Sequence, residues 1–187
     1  EERVPPFLKD KGTGWVTAEY SMLPGSTHSR KKRPTTKGAD GRAVEIQRLI
    51  GRSLRQAVNT DLLGPKTIHI DCDVIQADGG TRTAGITGGF VALVLCIKDL
   101  IKSGKLSKYA LGEIIKEQIA AVSLGVVAGE VLLDLCYAED SKAEADCNFV
   151  GSKNGEIVEF QVTAEREPVK REEMDLILEI GQKAIMT

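Results

Sequence analysis

The sequence predicts a mixed α/β (α+β) fold in which helices pack on a mixed β-sheet. Three kinds of segment predict it: stretches of alternating apolar residues, stretches with apolar residues at helical spacing, and glycine-containing turns between them. Their order along the chain is β, α, β, α, ββ, β, α, which is typical of helices covering a sheet. A chain of 187 residues is long enough for one domain with a single core, so we expect one domain over residues 1–187.

The first half of the chain predicts two strands, at residues 14–23 and 66–74, and two helices, at residues 42–58 and 83–103. The second strand alternates apolar and polar side chains without a break. The first helix is amphipathic, and we expect the three arginines on its other face to be exposed or to make subunit contacts: Arg48, Arg52 and Arg55. The second helix is apolar nearly all round, so we expect it to be buried.

The second half predicts a further helix, a hairpin, one more strand and a final helix. Residues 109–118 predict the first of these helices. Residues 119–140 predict two strands joined at Ala128-Gly129, which is a tight hairpin signal. An Asn154-Gly155 turn precedes one further strand, and residues 171–185 predict an amphipathic helix.

Composition and charge argue against several classes of protein. A chain with 42% hydrophobic and 28% charged residues has ordinary globular composition. The net charge of −2 gives no general attraction for nucleic acid, so a polyanion would need a local basic patch. No uninterrupted apolar run approaches 18 residues, and the first ten residues, EERVPPFLKD, contain five charged residues and two prolines, so we expect no membrane span and no signal peptide. Four cysteines without C-x-x-C spacing predict reduced thiols in a cytoplasmic protein.

The segment Gly79-Gly80-Thr81-Arg82 joins the second predicted strand to the long apolar helix. A strand that runs into a glycine turn and then a helix presents backbone N–H groups to an anion, and the helix dipole adds positive potential. Arg82 adds a planar fork that suits two phosphate oxygens. We expect a phosphate site here. The alternative is a tight strand-to-helix connection with a solvated Arg82.

Arg42 opens the first long helix, where backbone donors again lie free, so a second helix start carries an arginine. The two helix starts would then converge on one phosphate. The alternative is that Arg42 faces water.

The acidic segment DLCYAEDSKAEADCNF contains Asp140 and Asp146. Paired carboxylates can hold Mg²⁺ through oxygen ligands, or one of them can stay protonated and act as a general acid. A solvated acidic loop is the alternative.

A basic run lies within residues 24–41, where Arg30, Lys31, Lys32 and Arg33 follow one another. On a protein of net negative charge this run makes a local patch for a polyanion such as RNA. A solvated basic loop is the alternative. Because phosphate contacts position a nucleic acid without reading its bases, we expect low sequence specificity.

The sequence resembles the bacterial ribonuclease PH family, the phosphate-dependent tRNA nucleotidyltransferases, in five stretches that occur in family order. They are GWVTAEYSMLP, GRAVEIQRLIGRSLR, IDCDVIQADGGTRTAGITGG, AAVSLGVVAGEVLLDLCYAEDSKAEADCN and EFQVTAE. The resemblance implies a ribosomal protein S5 domain 2-like fold and assembly into dimers and a hexameric ring. It also implies a reaction in which inorganic phosphate, the co-substrate, attacks the last 3′ phosphodiester of a precursor tRNA and releases a nucleoside diphosphate.

The resemblance also implies roles for individual residues. The family's phosphate-binding residues fall on Arg42, Gly80, Thr81 and Arg82, and its essential acidic pair, catalytic and ligating Mg²⁺, falls on Asp140 and Asp146. The basic run from Arg30 to Arg33 lies where the family contacts tRNA. A non-catalytic RNA-binding ring subunit of an exosome-like assembly is the alternative function.

The sequence departs from the family's pattern at several places, of which three bear on the site and on the completeness of the domain. The family begins with additional strands before RVPPFLK, so we expect a domain that is incomplete at its N-terminus relative to the family. Gly25 stands where many relatives have an arginine, and Val162 replaces the usual glycine beside the acidic site. Gly25 therefore removes one expected tRNA contact, and Val162 would stiffen its strand.

Overall fold

The computed structural model describes residues 1–33, 40–106 and 108–186. After a short 3₁₀ helix, the elements are β1 (Trp15–Met22), α1 (Gly41–Ala57), α2 (Thr60–Leu63), β2 (Thr67–Val74), α3 (Thr81–Lys102), α4 (Leu111–Ile114), β3 (Ile119–Val127), β4 (Glu130–Leu133), α5 (Tyr137–Asp140), β5 (Ala145–Ser152), β6 (Ile157–Ala164) and α6 (Arg171–Met186). The backbone forms two compact units. The first unit comprises Glu1–Ile75 and Gly88–Gln118, and the second comprises Gln76–Thr87 and Ile119–Thr187. The prediction that residues 1–187 form a single domain is not tested by this division into two units, and it stays a prediction.

The first unit is built on a parallel pair of strands, β1 and β2, in register from Trp15 opposite Thr67 to Met22 opposite Val74. Helix α1 packs on β1 and buries the apolar face that its helical spacing predicted. Arg55, predicted on an exposed or subunit-facing side of α1, instead donates to the carbonyl of Val16 at 2.8 Å and lies 4.2 Å from the ring centroid of Trp15. This arginine therefore fixes α1 to β1.

The second unit is built on a four-stranded antiparallel sheet in the order β4-β3-β5-β6. The hairpin between β3 and β4 turns at Ala128 and Gly129, whose φ angles of 51° and 79° fit the predicted tight turn. Helix α6 covers one face of the sheet. The core on that face includes Phe149 of β5 and Ile177 of α6, both fully buried.

The two faces of this sheet differ in polarity. Directly paired residues in an antiparallel ladder share a face. Val162 lies opposite Cys147 and packs with the apolar core under α6. Asp146 lies opposite Thr163 one position away, so their side chains are on the other, more polar face. Val162 is thus on the face of β6 that points away from the Asp146 carboxylate.

The predicted strands and helices differ from the structure in four respects. The strands fall into two sheets rather than one, and β5 is a second strand where one was predicted after the hairpin. The helix predicted at residues 109–118 is only the short α4, because its end joins an isolated bridge between Val58 and Ile115. The short helix α5 was not predicted.

The prediction that α3 is buried all round is wrong. One face is buried through Ile86, Leu93 and Ile97, but Val91 and Leu95 on another face are 54% and 59% exposed. Among the described helices, α3 is long and apolar enough to cross a membrane by length and composition. Core helices of globular proteins meet the same criterion.

Candidate active site

The glycine loop before α3 requires both of its glycines. A Cβ atom on Gly79 would lie 1.8 Å from the carbonyl oxygen of Leu135, so no side chain fits there. Gly80 has a φ of +71°, a left-handed conformation in which a residue with a side chain would be strained. The close approach of Gly79 sets this loop against the segment that leads into α5.

Asp78 ties the glycine loop to α5. Its carboxylate accepts a hydrogen bond from the N–H of Gly79 at 2.9 Å and another from the N–H of Tyr137. Tyr137 is the first residue of α5 and Asp140 is its last. One carboxylate therefore holds together the predicted phosphate loop and the short helix that carries one predicted catalytic aspartate.

The first two turns of α3 are held from both sides. The hydroxyl of Thr83 and the N–H of Ala84 both donate to the carbonyl of Gly80, at 2.9 Å and 3.0 Å. The hydroxyl of Thr87 donates to the carbonyl of Ala121 on β3 and accepts from its N–H. The N-terminus of α3, which is the positive end of the helix dipole, is thereby fixed over the polar face of the sheet.

Asp146 on β5 lies in a mixed electrostatic environment. Burial raises the pKa of this half-buried carboxyl, whereas the positive charge of Arg82 lowers it. The negative charges of Glu165 and Asp140 raise the pKa, and a hydrogen bond with Thr163 lowers it. Because the net effect is a raised pKa, Asp146 takes up a proton more readily than an ordinary aspartate.

The second unit therefore brings together most of the predicted site. Thr81 and Arg82 begin α3, directly after Gly80, and the charge of Arg82 acts on Asp146. Asp140, at the exposed end of α5, acts on the same carboxyl. The N-terminus of α3 and the Arg82 guanidinium are both groups that attract a phosphate-sized anion.

The acidic pair has the donor chemistry for magnesium, although it is a small set. Within residues 1–33, 40–106 and 108–186, no group of three or more His, Cys, Asp or Glu side chains is placed to hold a metal. Mg²⁺ is commonly held by one or two carboxylates together with water and substrate phosphate oxygens. Asp140 and Asp146 fit that pattern by number and by ligand type.

Arg42 lies in the first unit, in the first turn of α1. Asp40 caps this helix, because its carboxylate accepts from the N–H of Arg42 at 3.1 Å, and it also pairs with Lys31 at 3.6 Å. Arg42, Lys31 and Lys32 line a cavity of about 210 Å³, which also has Tyr20 on its wall. One predicted phosphate residue and two predicted RNA contacts are therefore neighbours.

The other cations of the basic run are at the surface. Arg30, Lys32 and Arg33 are exposed, and Lys31 is half-buried. The end of the predicted basic loop, residues 34–39, lies outside the described residues. The exposed cations are free to meet a phosphate backbone in solution.

The sequence interpretation did not single out two residues at this site, Asp78 and Thr163. Asp78 precedes a glycine turn, which is a typical position for an aspartate that bonds backbone N–H groups. Thr163 could be found only from the pairing register of β5 and β6, which no motif specifies.

Comparison with known proteins identifies the family. The sequence matches the 3′ exoribonuclease family, domain 1, over residues 1–98 and domain 2 over residues 117–184. It is 55% identical to ribonuclease PH of Exiguobacterium sibiricum over 186 residues, which is 99% of this chain and 73% of that protein.

Solved structures share the fold at low sequence identity. The Archaeoglobus fulgidus exosome with RNA bound to the active site superposes with a TM-score of 0.76 at 16% identity, over 97% of this chain and 72% of that chain. An archaeal exosome core gives a TM-score of 0.67 at 17% identity, over 92% and 66% of the two chains. The predicted fold class is confirmed. Both family domains and the close relative place this chain in the 3′ exoribonuclease family of ribonuclease PH.

Proposed function

We propose that this protein is a phosphorolytic 3′-to-5′ exoribonuclease, a phosphate-dependent tRNA nucleotidyltransferase. Inorganic phosphate attacks the terminal phosphodiester of a precursor tRNA, the 3′ oxygen of the preceding nucleotide leaves, and a nucleoside diphosphate is released. The predicted function is the one that the 55% identical ribonuclease PH supports. The observation that carries it in the structure is the action of Arg82, at the N-terminus of α3, on Asp146.

The phosphate side of the reaction falls to Gly80, Thr81, Arg82 and, as a second phosphate-binding arginine, Arg42. Phosphate and the diester are both anions, so they repel each other until positive groups neutralise them. The N-terminus of α3 supplies N–H groups and dipole, and a guanidinium supplies a bidentate fork. Catalysis would consist mainly of positioning and charge stabilisation.

The acidic side falls to Asp140 and Asp146, in one of two roles. Asp146 has a raised pKa because of burial, which suits a group that protonates the leaving 3′ oxygen. Asp140 and Asp146 together suit the binding of Mg²⁺, which when bound would neutralise charge on the phosphates.

Magnesium dependence separates these two roles. If the pair binds Mg²⁺, Asp140→Asn raises the Mg²⁺ concentration needed for half-maximal activity, and chelation abolishes activity of the unaltered protein. If Asp146 is the acid, Asp146→Asn lowers kcat at every Mg²⁺ concentration.

The substrate RNA would meet Arg30, Lys31, Lys32 and Arg33 through its phosphates. Three of these cations are exposed and two lie beside Arg42. Contacts of this kind add affinity without base specificity and weaken with salt.

We also propose self-association into dimers and a hexameric ring, in the cytoplasm. The exposed apolar side chains of Val91 and Leu95 on α3 support a covered surface of this kind. The alternative function, a non-catalytic ring subunit of an exosome-like assembly, is less supported. Such a subunit does not need a glycine loop, Arg82 and the acidic pair kept together.

A phosphate-dependence assay tests the function. Nucleoside diphosphate should appear only when inorganic phosphate is added, and Arg82→Ala should lower kcat/KM by about 10²- to 10³-fold. Arg171→Ala is the matched control, because Arg171 is an exposed arginine that pairs with Asp175 on α6. Release of nucleoside monophosphates without added phosphate would contradict the proposal and indicate hydrolysis.

A further inference from the structure

Ser123, in the middle of β3, has a buried hydroxyl that the fold itself does not use. Its side chain is only 7% exposed, and its Oγ atom has no hydrogen-bond partner among the residues that the structure describes. Burying a hydroxyl without a partner costs free energy, and folded proteins contain few such groups. The Ser123 hydroxyl is therefore a candidate to bind a ligand, provided that its surroundings also favour one.

The hydroxyl of Ser123 lies against the glycine loop. A Cβ atom placed on Gly80 would be 3.0 Å from Ser123 Oγ and 3.2 Å from Thr83 Oγ1. Thr83 Oγ1 is already engaged, because it donates to the carbonyl of Gly80 at 2.9 Å. Ser123 therefore offers a hydroxyl donor at the point where α3 begins.

The pairing register also sets Ser123 close to Asp146. Ser123 lies directly opposite Asn148, and Asp146 is two residues away on the same strand, β5. Residues in this diagonal relation share a face of the sheet and are roughly 7–8 Å apart. The hydroxyl thus belongs to the same polar face as the carboxylate that Arg82 attracts.

Two other buried serines show that an unpaired hydroxyl alone does not define a site. Ser26 and Ser53 also have Oγ atoms without a hydrogen-bond partner among the described residues. Both lie in the first unit, and Ser53 is in the fourth turn of α1 and fully buried. Ser123 differs from them because its hydroxyl lies at the N-terminus of a 22-residue helix that begins with the predicted phosphate loop.

We propose that Ser123 Oγ–H donates a hydrogen bond to the inorganic phosphate bound at Gly80-Thr81-Arg82. The inference rests on the proposed function and adds to it a phosphate ligand from β3. A third kind of donor, besides the backbone N–H groups and the guanidinium, would fix the rotation of the phosphate. The attacking oxygen of the phosphate could then approach the diester in one orientation only.

Phosphate affinity without RNA is the direct test. Calorimetric titration of the full chain with inorganic phosphate should show that Ser123→Ala raises the Kd for phosphate by roughly tenfold or more, because a hydrogen bond to a charged group is lost. Ser123→Cys keeps the size but is a poor donor, and it should show the same loss. In phosphorolysis, KM for phosphate should rise by a similar factor while KM for RNA stays unchanged.

Ser53→Ala is the matched control, because it removes a buried hydroxyl that also lacks a partner among the described residues but belongs to the first unit. Its phosphate affinity should equal that of the unaltered protein. Without phosphate, Ser123→Ala should melt at the same temperature or higher, since an unpaired hydroxyl has been removed. A structural role for Ser123 predicts a lower melting temperature instead.

Two results would overturn the inference, and they are distinguishable. If the unaltered protein is phosphorolytic but Ser123→Ala and Ser123→Cys bind phosphate within twofold of it, Ser123 is not a ligand and the proposed function stands. If the unaltered protein neither binds phosphate nor needs it for RNA cleavage, the proposed function fails and this inference fails with it.

Discussion

Replacement of Gly79 by alanine should disable the active site. Its Cβ atom would lie 1.8 Å from the carbonyl oxygen of Leu135, whereas ordinary contact begins at 3.4 Å. The difference, 3.4 − 1.8 = 1.6 Å, is the distance by which the loop or the chain at Leu135 must move. Both segments are backbone, so neither can yield by a side-chain rotation.

The magnitude of the effect follows from that displacement. A misplacement of about 1 Å costs on the order of 10²-fold in rate. We therefore expect kcat/KM for phosphorolysis to fall at least about 100-fold, or about 2.7 kcal/mol of transition-state stabilisation. Overpacking should also lower the free energy of unfolding by about 1–3 kcal/mol.

The assay is nucleoside diphosphate release under varied phosphate, together with thermal melting. Gly112→Ala is the control, because nothing lies within 4 Å of the Cβ atom it would add on α4. This control should keep full activity and melt at the same temperature or higher. If Gly79→Ala keeps more than a third of the activity, the loop geometry does not position the reacting phosphate.

Three further predictions concern charge and thiol chemistry. Asp146→Asn should abolish activity yet raise the melting temperature at neutral pH. Because the pKa of Asp146 is raised in the folded protein, the carboxyl stabilises the fold at low pH, and this stabilisation is lost as pH rises through the folded-state pKa. The gain in melting temperature of Asp146→Asn should therefore vanish in acid. Lys31→Ala with Lys32→Ala should weaken tRNA binding and reduce its logarithmic salt slope by about one for each lysine, measured by filter binding. Burial raises the pKa of Cys147 to about 12, so native thiol titration should modify exposed Cys136 first and Cys147 only after denaturation.

Local periodicity predicted the elements that carry a clear pattern. The apolar spacing of α1 and the alternation of β2 gave both elements within one or two residues of their ends. Helix α3 was harder, because its composition is apolar on every side and composition does not say which side is covered. The prediction therefore missed that Val91 and Leu95 are exposed.

The sequence motifs name candidate residues for the site, but they do not specify which residues surround them. Arg82 and Asp146 stand in motifs, and the structure brings them within electrostatic reach. Ser123 and Thr163 stand in ordinary strand sequence, and only the register of β3, β5 and β6 sets them beside that pair. Register depends on long-range pairing, which local patterns do not specify.

The fate of the attacking phosphate tests the central claim most directly. Precursor tRNA is incubated with radiolabelled inorganic phosphate, and the released mononucleotides are separated and degraded stepwise. The account predicts that the label is found in the β-phosphate of nucleoside diphosphates, and that Arg82→Ala loses this product. Unlabelled nucleoside monophosphates as the main product would contradict it, because water rather than phosphate would then be the nucleophile.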